Sequence, residues 1–211
     1  VNILFLIAHP DDEAYGPFGT IAKLAKDHKV TVFCICNGER PGNVKVSSDR
    51  VFALKTNCEK LGIKWHIQNN PDCSLEYRST LSNVEGIINH IKPDIVYTHS
   101  PDMHTDHIIL SETTQLACRA KPTSSVRELY FFEIPSFAQS TSFKPTVYSD
   151  ITDYIELKKQ ALARYITETY EFPDARSIEA AVTLAKFRGY SVGINYAEAF
   201  QLVFAHDRIT R

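Results

Sequence analysis

The 211-residue sequence predicts an α/β fold with a doubly wound, mainly parallel sheet. Three observations carry that prediction. Short apolar runs at 3–8, 30–36, 64–68, 94–100 and 127–134 read as strands, and the segments between them place apolar residues at helical spacing. The first run, "ILFLIA", is apolar at every position, the pattern of a strand buried on both faces of a parallel sheet. Hydrophobic residues make up 44% and charged residues 23% of the chain, enough for a sizeable core. Strand and helix alternating at this rhythm favour right-handed crossovers between parallel neighbours.

Taken in order, residues 3–8 form the first strand. Residues 18–26 follow as a helix, with Phe18, Ile21, Ala22, Leu24 and Ala25 at helical spacing. "VTVFCIC" is the second strand and runs into the polar loop "NGERPG". A helix over 48–61 is closed by Gly62 as its C-cap. Residues 64–68 give a third strand and 69–74 a turn-rich loop; the helix over 81–91 is stopped by Pro93. "DIVYTHS" is the fourth strand, 107–120 the next helix, and "RELYFFEI" the fifth strand. Beyond it, 134–148 is rich in proline and aromatic residues, and 151–165 and 177–190 carry helical patterns. This tail reads as an extension of one domain spanning 1–211, with no repeat or low-complexity segment.

A net charge of −2 with no cluster of basic residues gives no electrostatic case for nucleic acid. No stretch approaches the roughly 20 apolar residues that span a bilayer. The apolar start is short for a signal peptide and lacks a basic leader. Five cysteines without a CxxC spacing read as buried free thiols, which suits a reducing, cytoplasmic setting. Self-association into a homo-oligomer is left open.

The chemistry concentrates where the first strand stops, at "HPDDE". Carboxylates this close repel unless a positive charge sits among them. In a doubly wound sheet of order 3-2-1-4-5, ligands bind at the carboxyl ends of strands one and four. His9, Asp11 and Asp12 follow strand one; "THSPDMHTDH" follows strand four and holds His99, Asp102, His104, Asp106 and His107. Two imidazoles and a carboxylate, His9, His107 and Asp12, suit Zn²⁺ with a position open for water. Asp11 is then left beside that water, where a general base is needed. An N-capping cluster would explain the aspartates alone, but not the second loop. Glu13 fits a capping or supporting role, and His99 a strand end. His28, His66, His90 and His206 read as solvated.

"AHPDDE" followed by "HTDH" resembles the PIG-L/LmbE-like family of zinc-dependent de-N-acetylases. "NGER" is similar to that family's T-x-G-E-like loop, and "FRGYSVGINYAEAF" to its C-terminal element. The resemblance implies a Rossmann-like fold and Zn²⁺ (or another divalent metal such as Fe²⁺) held by His9, Asp12 and His107. It also implies Asp11 as the base, and His104 as an electrophilic imidazolium oriented by Asp106. The implied substrate is a small N-acetylated sugar or sugar conjugate, with Glu39, Arg50 and Asp72 near its hydroxyls. Arg40 and Ala53 depart from the family pattern, which bears on sugar identity rather than on the chemistry. Arg188 is expected to brace the C-terminal segment. Two further readings compete: a facial-triad iron(II) enzyme, which normally needs a β-rich barrel, and a non-catalytic sugar-binding module.

Overall fold

The computed structural model describes residues 1–40, 44–119, 121, 124–135 and 143–206. Its first half runs β1 (Asn2–Ile7), α1 (Asp12–Tyr15), α2 (Phe18–Leu24), β2 (Lys29–Cys36), α3 (Val44–Lys60), β3 (Lys64–Asn70) and α4 (Tyr77–Ile91). The second half runs β4 (Ile95–His99), α5 (Thr105–Ala117), β5 (Glu128–Phe132), β6 (Val147–Asp150), α6 (Ile155–Leu162), α7 (Ile178–Tyr190) and β7 (Ala197–Ala205). The strands form one sheet of order β3-β2-β1-β4-β5-β7-β6. The first five are mutually parallel, as the alternating pattern requires.

Burial on both faces explains the unbroken apolar run of β1. Leu4, Leu6 and Ala8 pack with Val84, Ile87 and Ile88 of α4 and Leu110 of α5. Ile3, Phe5 and Ile7 pack on the other side with Ile21 of α2 and Leu54 and Cys58 of α3. Since β1 leads to β2 on one side and has β4 on the other, a crevice opens at their carboxyl ends. Both acidic-histidine loops emerge there.

The tail differs from expectation. β7 pairs antiparallel with β5 and with β6, extending the sheet by two strands. The alanines of "AEAFQLVFA" have low strand propensity, and β6 spans only four residues, so neither announces itself by composition. Helices α3 and α4 also start four residues earlier than predicted; the first turn of α4, from Tyr77 to Ser79, is exposed and carries no apolar period. Residues 41–42 of the "NGERPG" loop, residue 120 of the expected 107–120 helix and residues 136–142 of the 134–148 stretch lie outside the described residues.

The extension backs the site. Ala161, Leu162 and Tyr165 pack against Ala14, Tyr15 and Phe18. The buried Lys158 ammonium donates to the carbonyls of Tyr15 (3.2 Å) and Gly16 and to Glu198 Oε1 (2.7 Å). Glu198 in turn accepts from Gly19 N (2.9 Å) and Thr20 N (2.7 Å). This ion pair fixes the turn between α1 and α2, behind the first loop. Arg188 holds Glu133 through Nε (2.7 Å) and Nη2 (2.6 Å), tying α7 to the end of β5. No helix among the described residues is long and apolar enough to cross a membrane. All five cysteines are free, and Cys73 is exposed rather than buried.

Candidate active site

The backbone after β1 is drawn into a tight, strained loop. Asp11 holds φ at 130°, a conformation that costs a non-glycine residue about 1–3 kcal/mol. The surroundings impose it. Asp11 O accepts from Ala14 N (2.9 Å) and Tyr15 N (3.0 Å), and Asp11 N donates to Glu13 Oε2 (3.2 Å). Glu13 is itself buried between Tyr165 and Asn57, and that burial raises it to about 7. After β4, His104 caps α5, its Nδ1 accepting from Asp106 N at 3.2 Å. Asp106 and His107 therefore lie in the first turn of the helix and are aimed rigidly.

The two loops converge as predicted. His9 Nδ1 lies 3.3 Å from His107 Nε2 and 3.5 Å from Asp12 Oδ2, and His107 Nε2 lies 3.6 Å from that oxygen. Donors on a tetrahedral zinc at roughly 2.0–2.1 Å stand about 3.3 Å apart, so the triangle fits such an ion. The outer ring nitrogens are also committed to carboxylates. His9 Nε2 meets Asp106 Oδ2 at 3.0 Å, and His107 Nδ1 meets Asp102 Oδ2 at 2.7 Å. A carboxylate on the far nitrogen fixes the tautomer and turns the near nitrogen's lone pair toward a metal.

That geometry corrects one expectation. The Asp106 carboxylate does not orient the His104 ring. Its oxygens are taken by His9, by Cys73 N (2.7 Å) and by Leu75 N (3.2 Å). Burial and the neighbouring His9 and His107 lower His104, so it is neutral rather than a raised imidazolium. With Nδ1 accepting from the main chain, the proton resides on Nε2, which faces the Cys73 thiol at 4.0 Å.

The carboxylates act directly on the imidazoles of the metal-ligand candidates. Burial opposes charge on His107, yet Asp12 and Asp102 raise it to about 9. Burial likewise opposes charge on His9, but Asp106 and Asp12 hold it well above its ordinary value. Desolvation works against Asp12, and the imidazoles of His99 and His107 hold it well below the carboxylate range. The acidic cluster thus raises both imidazoles that face it. His99 is lowered to about 4 by burial and by His107, and its Nε2 accepts from Ala8 N at 3.0 Å.

A ring of ion pairs surrounds Asp11. Its Oδ2 is held by Arg176 and by Arg50 Nη2 at 3.3 Å, while Oδ1 is buried without a partner. Arg50 is buried and also donates to Pro10 O (3.1 Å), Gly38 O (3.4 Å) and Asp72 Oδ2 (3.1 Å), so it braces three loops. Gly38, at φ 77°, lets the "NGE" loop lie against that guanidinium; a Cβ there would stand 3.2 Å from it. Glu39 joins the loop to Asp72, whose N donates to Glu39 O at 2.9 Å. Asp72 Oδ1 has no partner and lies 3.8 Å from His9 Nε2. Glu168 closes the ring, with Oε2 3.9 Å from Arg176 Nη2 and Oε1 4.0 Å from Arg50 Nε; it and Arg176 come from an irregular segment with no motif in the sequence. Asp102 was legible only as one of several polar residues in its loop.

Residues 4–118, or 115 of the 211, match the family described as PIG-L: GlcNAc-PI de-N-acetylase. The chain belongs to that family. The resemblance read from "AHPDDE" and "HTDH" is borne out. Among PIG-L relatives is the Bacillus cereus protein named probable N-acetyl-α-D-glucosaminyl L-malate deacetylase 2. It is 27% identical over 185 residues, covering 80% of this chain and 84% of that one. The N,N′-diacetylchitobiose deacetylase of Pyrococcus horikoshii superposes with a TM-score of 0.80 at 22% identity, over 96% of this chain and 83% of that one. The 4-carboxy-2-hydroxymuconate hydratase of Pseudomonas putida gives 0.77 at 24% identity, over 100% and 98%. At these identities the two structures establish the fold, and that fold carries two different reactions.

Proposed function

We propose that this PIG-L protein is a metal-dependent N-deacetylase. It hydrolyses the acetamide of an N-acetylated amino sugar or sugar conjugate to acetate and a free amine. The observation that carries the reading is the triangle of His9 Nδ1, His107 Nε2 and Asp12 Oδ2, in a loop where the neighbouring Asp11 keeps one carboxylate oxygen without a partner. The donor set suits Zn²⁺ and accepts Fe²⁺. Such an ion, when bound, supplies Lewis-acid polarisation and lowers the pKa of water.

The chain's own residues supply the rest. Asp11 Oδ1 takes a proton from the attacking water as the C–O bond forms, and gives it to the leaving nitrogen as the C–N bond breaks. His104 donates its Nε2 proton as a hydrogen bond to the carbonyl oxygen while negative charge grows there. Asp102 and Asp106 hold the rings of His107 and His9. Asp72 Oδ1 and the Glu39 carboxylate offer acceptors for sugar hydroxyls, with Arg50 bracing their loops. The names of the relatives support an amino-sugar substrate, and the free thiols suit a reducing compartment such as the cytoplasm.

Zinc-loaded protein incubated with an N-acetylglucosaminide should release acetate and primary amine in equal amounts, and chelated protein should release neither. His107→Ala should stay folded but lose both metal and activity. A loaded protein that releases no acetate from any N-acetylated sugar, but hydrates a carboxylated enol, would overturn the reading.

A further inference from the structure

Arg176 lies outside residues 4–118, the part that matches the family, yet it touches the proposed base directly. Its backbone is fixed from both sides. Arg176 N donates to Asp174 Oδ1 at 2.8 Å, its carbonyl accepts from Tyr15 OH at 2.7 Å, and Ser177 next to it caps α7. The guanidinium lies over the Tyr15 ring at 4.4 Å, which limits where its Nη atoms can point. Tyr15 belongs to α1, the helix that Asp11 precedes. One tyrosine therefore sets the distance between Arg176 and Asp11.

At the carboxylate, Arg176 Nη2 and Arg50 Nη2 both engage Oδ2, and Oδ1 is left buried and unpartnered. A carboxylate terminus turns about a broad, roughly two-fold torsion. Without Arg176, either oxygen could turn to Arg50, and the free acceptor would lose its fixed direction. Arg50 cannot set that direction alone, because it also serves Pro10 O and Asp72.

We propose that Arg176 is a positioning residue for the reaction: it pins Oδ2 of Asp11 so that Oδ1 faces the reacting atoms. The inference rests on the reading of Asp11 as the base. Its effect should fall on kcat, since a misplacement of about 1 Å costs roughly 10²-fold.

The test is a double-mutant cycle on metal-loaded protein, with metal content and melting temperature recorded for every variant. Arg176→Ala should lower kcat about 10²-fold with KM unchanged. Added guanidinium ion should restore part of that loss. In an Asp11→Asn background, Arg176→Ala should cost nothing further. Should the alanine variant not fold, Arg176→Lys carries the same cycle, because a lysine lacks the planar fork that holds one oxygen. A full additional loss in the Asp11→Asn background, or a change in KM alone, would overturn the inference by making Arg176 a substrate contact or a scaffold residue. Unchanged kcat in Arg176→Ala beside an inactive Asp11→Asn would overturn the inference while leaving Asp11 as the base. Full activity in Asp11→Asn would remove the base assignment itself.

Discussion

Replacing Asp106 by asparagine should weaken metal binding, although Asp106 is not among the residues that would touch the metal. Its Oδ2 takes His9 Nε2 at 3.0 Å and Cys73 N at 2.7 Å, and Oδ1 takes Leu75 N at 3.2 Å. Asparagine offers one oxygen and one NH₂ in the same space. If the oxygen stays on His9 and Cys73, the NH₂ confronts the Leu75 N–H; if it turns, the NH₂ confronts His9 and Cys73. Either way a donor meets a donor and the charge is lost. A hydrogen bond to a charged group contributes about 1.5–3 kcal/mol. Loss of a carboxylate behind a metal-binding histidine typically weakens affinity about 10- to 100-fold, which converts to about 1.4–2.7 kcal/mol. The two scales agree, so a Kd for Zn²⁺ raised 10- to 100-fold is expected. Competition against a chromophoric chelator near neutral pH measures it, with His104→Ala as a control that should bind zinc normally. Unchanged zinc affinity in Asp106→Asn, with only the turnover rate reduced, would refute the argument and return Asp106 to His104.

Other expectations follow from the same geometry. His104→Ala should retain metal and lose about 10²–10³ in kcat, the scale of one oxyanion donor, measured by acetate release at saturating substrate. In the metal-free protein, His107 stands at about 9 against an unfolded value near 6.5. Its stabilising contribution is fully present below about 6.5 and is lost as pH rises through about 9. Bound metal displaces that proton, so the metal-induced rise in Tm should grow across this window; scanning calorimetry showing a pH-independent rise would contradict it. Glu198→Ala removes the carboxylate partner of the buried Lys158 and uncaps Gly19 N and Thr20 N. It should cost about 3–5 kcal/mol in urea unfolding, and an unmoved midpoint would contradict the role given to that pair.

The parallel half of the sheet was legible because its central strand is buried on both faces, which forces the apolar run 3–8 and leaves polar loop residues at its end. From the strand order came the crevice, and from the crevice the meeting of His9 with His107. What stayed hidden has physical causes. β7 carries Glu198 and three alanines because it serves the buried lysine and packs closely, so its composition is not that of a strand. Asp106 and His104 are two residues apart on a helix start, and adjacency in sequence suggested a pair. The helix turn instead sends the carboxylate to His9 on the other loop, and only the main-chain N–H of Asp106 reaches the His104 ring. Arg176 and Glu168 sit in an irregular segment, where neither period nor motif marks a residue that reaches the site.

The central claim is that His9, Asp12 and His107 hold the metal that the reaction needs. Other buried groups compete for it on geometry alone, among them Asp12 with His99 and His107, and His9 with Cys36 and Asp106. A crystal structure of the metal-loaded protein, with anomalous diffraction on both sides of the zinc absorption edge, separates them. The account predicts one anomalous peak bonded to His9 Nδ1, His107 Nε2 and Asp12 Oδ2, with Asp106 and Asp102 still on the outer ring nitrogens. A peak bonded to Cys36 or to His99, with His9 or His107 turned away, would contradict it.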